Sequence, residues 1–187
     1  MNKLVLILLM AASPNLWAAD RFVLDPEHTF PSFEIRHQKV SILRGKFNRS
    51  RGQVVLDAQN PGGSLIEVSV DASSGDTGHD ELNRKLLGGN FFNTARFPEI
   101  RFVARDVTFQ DGIPVAAQGE LTMLGETRPV TLEIREFGCG RHFPTLRNFC
   151  GADVHTTIRR SDFNMNYGIP LIGDEVKLAI EVEGFRE

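Results

Sequence analysis

Apolar and polar side chains alternate one by one along much of the chain, which is the pattern of half-buried β-strands. The alternation is most regular in three segments, whose apolar positions are Ile66, Val68, Val70, Val130, Leu132, Ile134, Val176, Leu178, Ile180 and Val182. Noisier alternation covers six further segments, 21–24, 29–37, 43–56, 100–109, 115–124 and 152–158. Turn residues such as Asp111-Gly112 separate the segments. About eight strands at this spacing predict an all-β fold, either a sandwich or a closed antiparallel barrel.

One segment with a helical period interrupts the strands. Two leucines four residues apart share a helix face there, and Asp76 or Thr77 can cap the start of the helix. Gly88-Gly89 can end it in a left-handed conformation that other side chains disfavour. The pattern therefore predicts one short helix near residues 77–88 that lies against the sheet.

The first 18 residues have the composition of a secretory signal peptide. Lys3 gives a short basic start, the apolar run that follows ends before Pro14, and two alanines then offer a cleavage site. The run is well short of the roughly 20 residues that a membrane-spanning helix needs. We therefore expect residues 1–18 to be removed, residues 19–187 to form a single domain, and the protein to reside in the periplasm.

Composition narrows the classes of function. The chain has 21 Lys and Arg against 24 Asp and Glu, a formal net charge of −3, so a nucleic-acid partner is not predicted. There are 14 Phe against one Tyr and one Trp, and that Trp lies in the predicted signal peptide. Phe brings apolar area without a polar group, so this inventory favours a dry core or an apolar pocket over a wet polar cleft.

Five segments, in their order and spacing, resemble the YceI-like family of bacterial exported proteins. They are FVLDPEHTFPSFEIRHQKVSILRGKFNRSRG, HDELNRKLLGGNFFNTARFPEIRF, GELTMLGETRPVTL, RRSDFNM and IGDEVKLAIEVEG, and together they span about residues 22–184. The resemblance implies a lipocalin-like antiparallel β-barrel whose cavity holds a polyisoprenoid lipid, with no other cofactor. It also implies that the helix and the Phe91-Phe92 segment lie beside the barrel and help close the apolar space.

Barrel geometry limits such a ligand. Strands of about nine or ten residues, tilted by about 40°, make a barrel only about 25 Å tall. A long prenyl chain would therefore have to bend or protrude. Burial is worth about 0.8 kcal/mol per methylene, so about ten enclosed carbons offer roughly 8 kcal/mol before ordering costs. Strong retention needs no polar contact, and selectivity for the head group can be loose.

Fourteen residues are candidates for contact with the lipid. The twelve apolar ones are Phe33, Ile35, Phe47, Val68, Leu86, Phe91, Phe92, Phe97, Phe102, Met123, Phe163 and Met165. For any one of them taken alone a packed core is the better interpretation, because interiors pack densely, and only the excess of Phe together with the family resemblance favours a tunnel. Arg36 and His37 close a predicted strand, where they would bind a polar head group or blunt a solvated strand edge.

The two cysteines allow two interpretations. Cys139 and Cys150 bound the segment CGRHFPTLRNFC, and with His142 and His155 they have the composition of a four-ligand zinc site. An exported protein usually oxidises a cysteine pair, and closing a loop of this size stabilises a fold by up to about 3 kcal/mol. We therefore favour a disulfide that pins a long hairpin at one end of the barrel over a metal site.

The leading functional hypothesis is a binding protein, a carrier or reservoir for a prenyl quinone, its precursor or a polyprenyl phosphate. An enzyme acting on a similar lipid, with His28 or His37 as general base, is the first alternative. However, Asp25-Pro26-Glu27-His28 also reads as an ordinary turn, and no nucleophile elbow is present. A packed barrel that only binds other proteins is the second alternative. The sequence leaves a membrane redox partner and a homodimer open.

Overall fold

The computed structural model describes residues 19–143 and 145–187, so the predicted signal peptide lies outside the described residues. These residues form strands β1 (Asp20–Leu24), β2 (Phe30–His37), β3 (Ser41–Phe47), β4 (Ser50–Leu56), β5 (Leu65–Asp71), β6 (Gly75–Asp76), β7 (Glu99–Gln110), β8 (Ile113–Met123), β9 (Glu126–Arg141), β10 (Asn148–Arg159) and β11 (Ile172–Arg186), and helix α1 (Asp80–Leu87). Short 3-10 turns cover Pro61–Gly63, Ala72–Ser74 and Arg160–Phe163. Within this part of the chain, no helix has the length and apolar character needed to cross a bilayer.

Eight strands close into an antiparallel barrel. In the order β1, β4, β5, β7, β8, β9, β10 and β11, each strand pairs with the next, and β11 pairs with β1. β2 and β3 continue β1 and β4 as one long hairpin, since Ser32 lies opposite Lys46 and Val23 opposite Gln53. The predicted all-β, lipocalin-like barrel of about eight strands with one short helix is confirmed.

The first long strand is interrupted at residues 25–29. There the backbone N–H of Asp25 donates to the carbonyl of Glu183 at 2.9 Å, and the Thr29 hydroxyl donates to the same carbonyl at 3.2 Å. β11 consequently pairs with β2 along most of its length and with β1 only near its end. One interrupted strand thus closes the barrel along its whole height.

The two ends of the barrel differ. An antiparallel meander places alternate connections at opposite ends. The helix end carries the turn at 38–40, the connection 72–98 with α1, the turn at 124–125 and the segment 160–171. The terminal end carries the other turns and both ends of the domain, where the backbone N–H of Glu187 donates to the carbonyl of Arg21 at 3.0 Å.

Two phenylalanines inside the barrel lie over glycines of the adjacent strand. Phe33 is opposite Gly45, and a Cβ added at Gly45 would stand 2.4 Å from the Phe33 ring. A Cβ at Gly119 would stand 2.7 Å from the ring of Phe102. Glycine is therefore required at both positions because a strand with any side chain there could not pack against these rings.

Helix α1 begins later than predicted, because Asp76 ends β6 and Thr77 lies in the loop between β6 and the helix. The Asn83 side chain donates to the Asp76 carboxylate and accepts a hydrogen bond from the Thr77 hydroxyl, at 2.8 and 2.7 Å. The predicted left-handed end is wrong, since Gly88 has φ −76° and ψ 175°. The residues that follow fold back, and their N–H groups bind the last carbonyls of the helix directly.

Candidate ligand cavity

The barrel encloses an elongated cavity of about 440 Å³. Its wall extends from Phe22 and Leu24 near the terminal end to Leu43 and Leu86 at the helix end, and it is overwhelmingly apolar. All ten apolar positions of the three regularly alternating strands face this space. An enclosed apolar space with few polar groups is suited to a hydrocarbon ligand.

The cavity opens at the helix end. Among the residues that line it, those exposed to solvent are Leu82, Lys85 and Tyr167. The first two lie on α1, and Tyr167 lies on the segment that connects β10 to β11. The ring of Tyr167 meets Phe91 edge to face, with the ring centroids 5.6 Å apart. We call the opening framed by Leu82, Lys85 and Tyr167 the mouth.

Eleven of the fourteen predicted contact residues line the cavity. They are Phe33, Ile35, His37, Phe47, Val68, Leu86, Phe91, Phe92, Phe102, Met123 and Met165. The segment after α1 reaches the cavity because Phe92 packs edge to face against Phe47, with centroids 5.2 Å apart. The fold therefore brings these side chains around one space, and their contact with a ligand stays a prediction.

Arg36, Phe97 and Phe163 do not line the cavity, which corrects the predicted inward position of the two phenylalanines. Arg36 is exposed because Ile35 takes the inward position beside it on β2. Phe97 covers the turn between β8 and β9, where a Cβ at Gly125 would stand 3.1 Å from its ring. Phe163 is 1% exposed and belongs to the packed core at the helix end.

Several lining residues were not singled out from the sequence. The main ones are Phe22, Leu24, Leu121, Phe137 and Tyr167. The alternation already contained a signal for Leu121, which lies two residues before Met123 on the same strand. Tyr167 lies in an irregular segment, where no period assigns a direction to a side chain.

A buried arginine holds the segment that frames the mouth. Arg160 is 1% exposed, and its guanidinium donates to the carbonyls of Gly173 at 2.7 Å, Met165 at 2.6 Å, Tyr167 at 2.9 Å and Ile172 at 3.0 Å. Burial lowers the pKa of Arg160, but the ordinary value is so high that the group stays charged at neutral pH. One side chain thereby fixes the backbone of an otherwise irregular connection.

Cys139 and Cys150 form a disulfide with an S–S distance of 2.04 Å, as predicted. They are directly opposite each other on β9 and β10 at the terminal end, and Cys150 lines the cavity. His155 is five residues from Cys150 on a regularly paired strand, so the two side chains point to opposite faces. Its ring instead binds Asp153 at 2.7 Å. The zinc alternative thus lacks both free thiolates and a common face for its ligands.

The predicted turn at Asp25 is present at the strand interruption. The Asp25 carboxylate accepts a hydrogen bond from the Glu27 N–H at 3.0 Å and lies 2.8 Å from Nδ1 of His28. Glu183 lies 4.0 Å from the same nitrogen. His28 does not line the cavity, so a general base at this position would not face a ligand held there.

The Asp25–His28 pair predicts a pH dependence of stability. The hydrogen bond with Asp25 raises the pKa of His28. Burial is the largest single influence on Asp25 and would raise its pKa, but the hydrogen bonds from His28 and from the Glu27 N–H, together with the nearby histidine charge, outweigh burial and the pKa is lowered. Stabilisation by protonated His28 is complete below its unfolded pKa of about 6.5 and is lost as the pH rises through the folded value. The contribution of Asp25 is lost only as the pH falls through its own lowered value.

We therefore expect the melting temperature to fall more steeply between about pH 6.5 and 8 in the native protein than in a His28→Gln variant. Thermal melts followed by circular dichroism across this range measure the difference. His79→Gln, at another exposed histidine, serves as the control and should follow the native curve. Parallel curves for the native protein and His28→Gln would contradict the expectation.

The closed antiparallel strands and the apolar space inside them define an architecture shared with lipocalin-like binding proteins. The profile of the YceI-like domain matches residues 22–184, and the chain belongs to the YceI-like family. Protein YceI of Escherichia coli is 34% identical over 181 residues, which cover 96% of this chain and 93% of that protein. A UPF0312 protein of Enterobacter sp. is 35% identical over 172 residues, which cover 91% of this chain and 88% of that protein.

Solved structures share the fold at lower identity. BcnA of Burkholderia cenocepacia superposes with a TM-score of 0.70 at 22% identity, covering 86% of this chain and 98% of its own. A polyisoprenoid binding domain from Saccharophagus degradans, implicated in plant cell wall breakdown, superposes with a TM-score of 0.66 at 14% identity, covering 89% and 98%. At these identities the likeness establishes the barrel architecture.

Proposed function

We propose that the protein is a periplasmic carrier that holds the apolar chain of a polyisoprenoid lipid inside its barrel. The observation that carries this proposal is the elongated apolar cavity of about 440 Å³ with a mouth at one end. Membership of the YceI-like family supports it, as does the structural likeness to a polyisoprenoid binding domain. The composition of residues 1–18 supports export.

Apolar burial would provide most of the affinity. The wall offers branched aliphatic and aromatic side chains around its circumference, such as Ile66, Leu132 and Leu178 from three different strands. Each methylene moved from water into such a space contributes about 0.8 kcal/mol. Because this contribution is not directional, chains of different length can bind with the surplus protruding from the mouth.

The polar head of the lipid would stay at the mouth. His37, Lys85 and Tyr167 place an imidazole, an ammonium and a phenol hydroxyl among the lining there. Lys85 is paired with Glu81 at 3.3 Å, but both side chains are more than half exposed and such a pair is weak. Lys85 can therefore exchange this partner for a phosphate or a quinone oxygen. The proposed ligands are a prenyl quinone, its precursor or a polyprenyl phosphate.

A binding role without catalysis fits the surroundings of His37 best. This histidine lines the cavity, but Ile35 precedes it on the same inward face and Ile172 lies opposite it on β11. Aliphatic neighbours provide no group to orient the imidazole or to relay a proton. A membrane redox partner and a homodimer stay predictions.

Mass spectrometry of the protein expressed from its full coding sequence tests the proposal. Under native conditions we expect a retained mass that organic extraction identifies as a prenyl lipid. The denatured protein should begin near residue 19 and be two hydrogens lighter than the reduced chain because of the disulfide. Absence of extractable lipid, together with no saturable binding of an added prenyl alcohol, would reject the carrier.

A further inference from the structure

Exposed apolar side chains surround the mouth. Within the described residues, ten large apolar side chains are exposed to solvent, and six of them lie at the helix end. They are Val40, Ile42, Leu82, Tyr167, Ile169 and Leu171, and among them Val40 is 87% and Leu171 62% exposed. Single exposed apolar residues are normal, whereas a group at the opening of an apolar cavity marks an interaction surface.

Hydrogen bonds bring two of the contributing segments together. The backbone N–H of Gln38 donates to the carbonyl of Leu171 at 2.6 Å, and His37 is paired with Ile172 at the end of the sheet. The β2–β3 turn and the segment after Tyr167 therefore lie side by side. We call residues 36–44 and 164–173 together the mouth tip.

The mouth tip is cationic as well as apolar. Its two segments contain Arg36, Lys39 and Arg44 but no Asp or Glu, in a chain whose net charge is −3. Arg44 is neutralised by Glu34, from which its Nε lies 2.7 Å away. Arg36 and Lys39 are exposed beside Val40. The surface therefore combines protruding aliphatic side chains with positive charge.

We propose that the mouth tip docks the barrel onto an anionic lipid bilayer. Val40 and Leu171 would insert among the lipid head groups, while Arg36 and Lys39 would contact the phosphates. Aliphatic side chains flanked by Lys and Arg provide this type of reversible interfacial binding, and Tyr is favoured at the same depth. The inference rests on the proposed function, because a polyisoprenoid leaving a docked mouth enters lipid without crossing water.

The opposite end of the barrel offers a matched control. The hairpin between β9 and β10 carries Phe143, 86% exposed, and Leu146, 60% exposed, with Arg141 and Arg147 beside them. Its composition resembles that of the mouth tip, but it lies at the end away from the mouth. If lipid attracted any apolar and basic loop, replacing the apolar residues at either end of the barrel would weaken vesicle binding equally.

The experiment is flotation of the protein, expressed from its full coding sequence so that residues 1–18 can be removed, and then purified, with vesicles of phosphatidylglycerol and phosphatidylcholine. We expect native protein to bind these vesicles at low salt and to bind pure phosphatidylcholine weakly. Val40→Ser with Leu171→Ser should weaken binding about ten-fold, and Lys39→Glu about five-fold. Phe143→Ser with Leu146→Ser should leave binding unchanged.

Three outcomes would overturn docking by the mouth tip. They are no flotation of the native protein, no loss in the Val40→Ser, Leu171→Ser variant, and an equal loss in the control variant. Docking to a bilayer would also be wrong if the native protein does not bind vesicles but crosslinks through Lys39 to another protein, which would then be the partner of this surface.

Lipid content, measured by extraction of the same samples, keeps the two proposals separate. Neither Val40 nor Leu171 lines the cavity, so their replacement should leave the bound lipid in place. If the protein floats with vesicles but neither contains a polyisoprenoid nor binds an added prenyl alcohol, the carrier is disproved and the docking surface is retained.

Discussion

Replacing Thr156 with tryptophan is expected to empty the barrel of lipid while leaving it folded. Thr156 lines the cavity on β10 and lies opposite Leu178 on β11. An indole at this position extends into the space that the proposed isoprenoid chain would occupy. The larger side chain enters an open cavity rather than a packed core, so the usual overpacking cost of about 1–3 kcal/mol should be reduced. We expect the lipid extracted per mole of protein to fall about ten-fold, since the loss of two enclosed methylenes, at about 0.8 kcal/mol each, already weakens binding by slightly more than that factor.

Thr157→Trp is the matched control for this variant. Thr157 is the next residue along β10, is exposed, and lies opposite Lys177 on the outer face. Its indole should emit like a solvated one and leave the lipid content unchanged. The indole of the Thr156 variant should emit at shorter wavelength. A Thr156→Trp protein with shifted emission, an unchanged melting temperature and a full lipid content would contradict a ligand held at this height of the barrel.

Replacing Arg160 with methionine is expected to be the most destabilising single change at the mouth. The guanidinium donates to four carbonyls and is 1% exposed, so the variant leaves these acceptors without their partner. Hydrogen bonds to charged groups are worth about 1.5–3 kcal/mol each, but the freed segment will partly rearrange toward water. We expect a net loss of about 3–5 kcal/mol, which lowers the melting temperature by about 10 °C or more.

Arg159→Met serves as the control because Arg159 is adjacent in sequence but exposed. This variant should melt within a few degrees of the native protein, as most surface changes do. Loss of Arg160 should also speed the release of bound lipid, because the backbone of Tyr167 at the mouth is no longer held. Equal melting temperatures and release rates for the two variants would show that Arg160 does not organise the mouth.

The sequence predicts best which side chains of each strand share one face and can therefore line the cavity. A strand has a period of two, so Val176, Leu178 and Ile180 share a face whatever their partner strands are. Once the barrel closes, that face is the cavity wall. The same rule places Arg36, which alternates with Ile35, on the outer face of β2.

The sequence does not show which phenylalanines line the cavity and which belong to the packed core. Phe102 and Phe163 are both buried, yet only Phe102 reaches the cavity. The difference arises because Phe102 lies on a barrel strand, whereas Phe163 lies in a 3-10 turn at the barrel end. A side chain in a turn has no periodic direction, so its neighbours decide where it points.

The sequence by itself determined the strand alternation and the approximate number of strands, because both depend on neighbouring residues. It also predicted the pairing of the two cysteines, because an exported protein usually oxidises such a pair. The tertiary structure decided which end of the barrel opens and what frames the mouth. Arg160 finds its carbonyl partners only after the segment beyond it has folded back over the barrel. Gln38 and Leu171 lie far apart in the chain, and the hydrogen bond between them forms only because β2 pairs with β11. Such contacts depend on the closure of the whole sheet, and no local pattern encodes them.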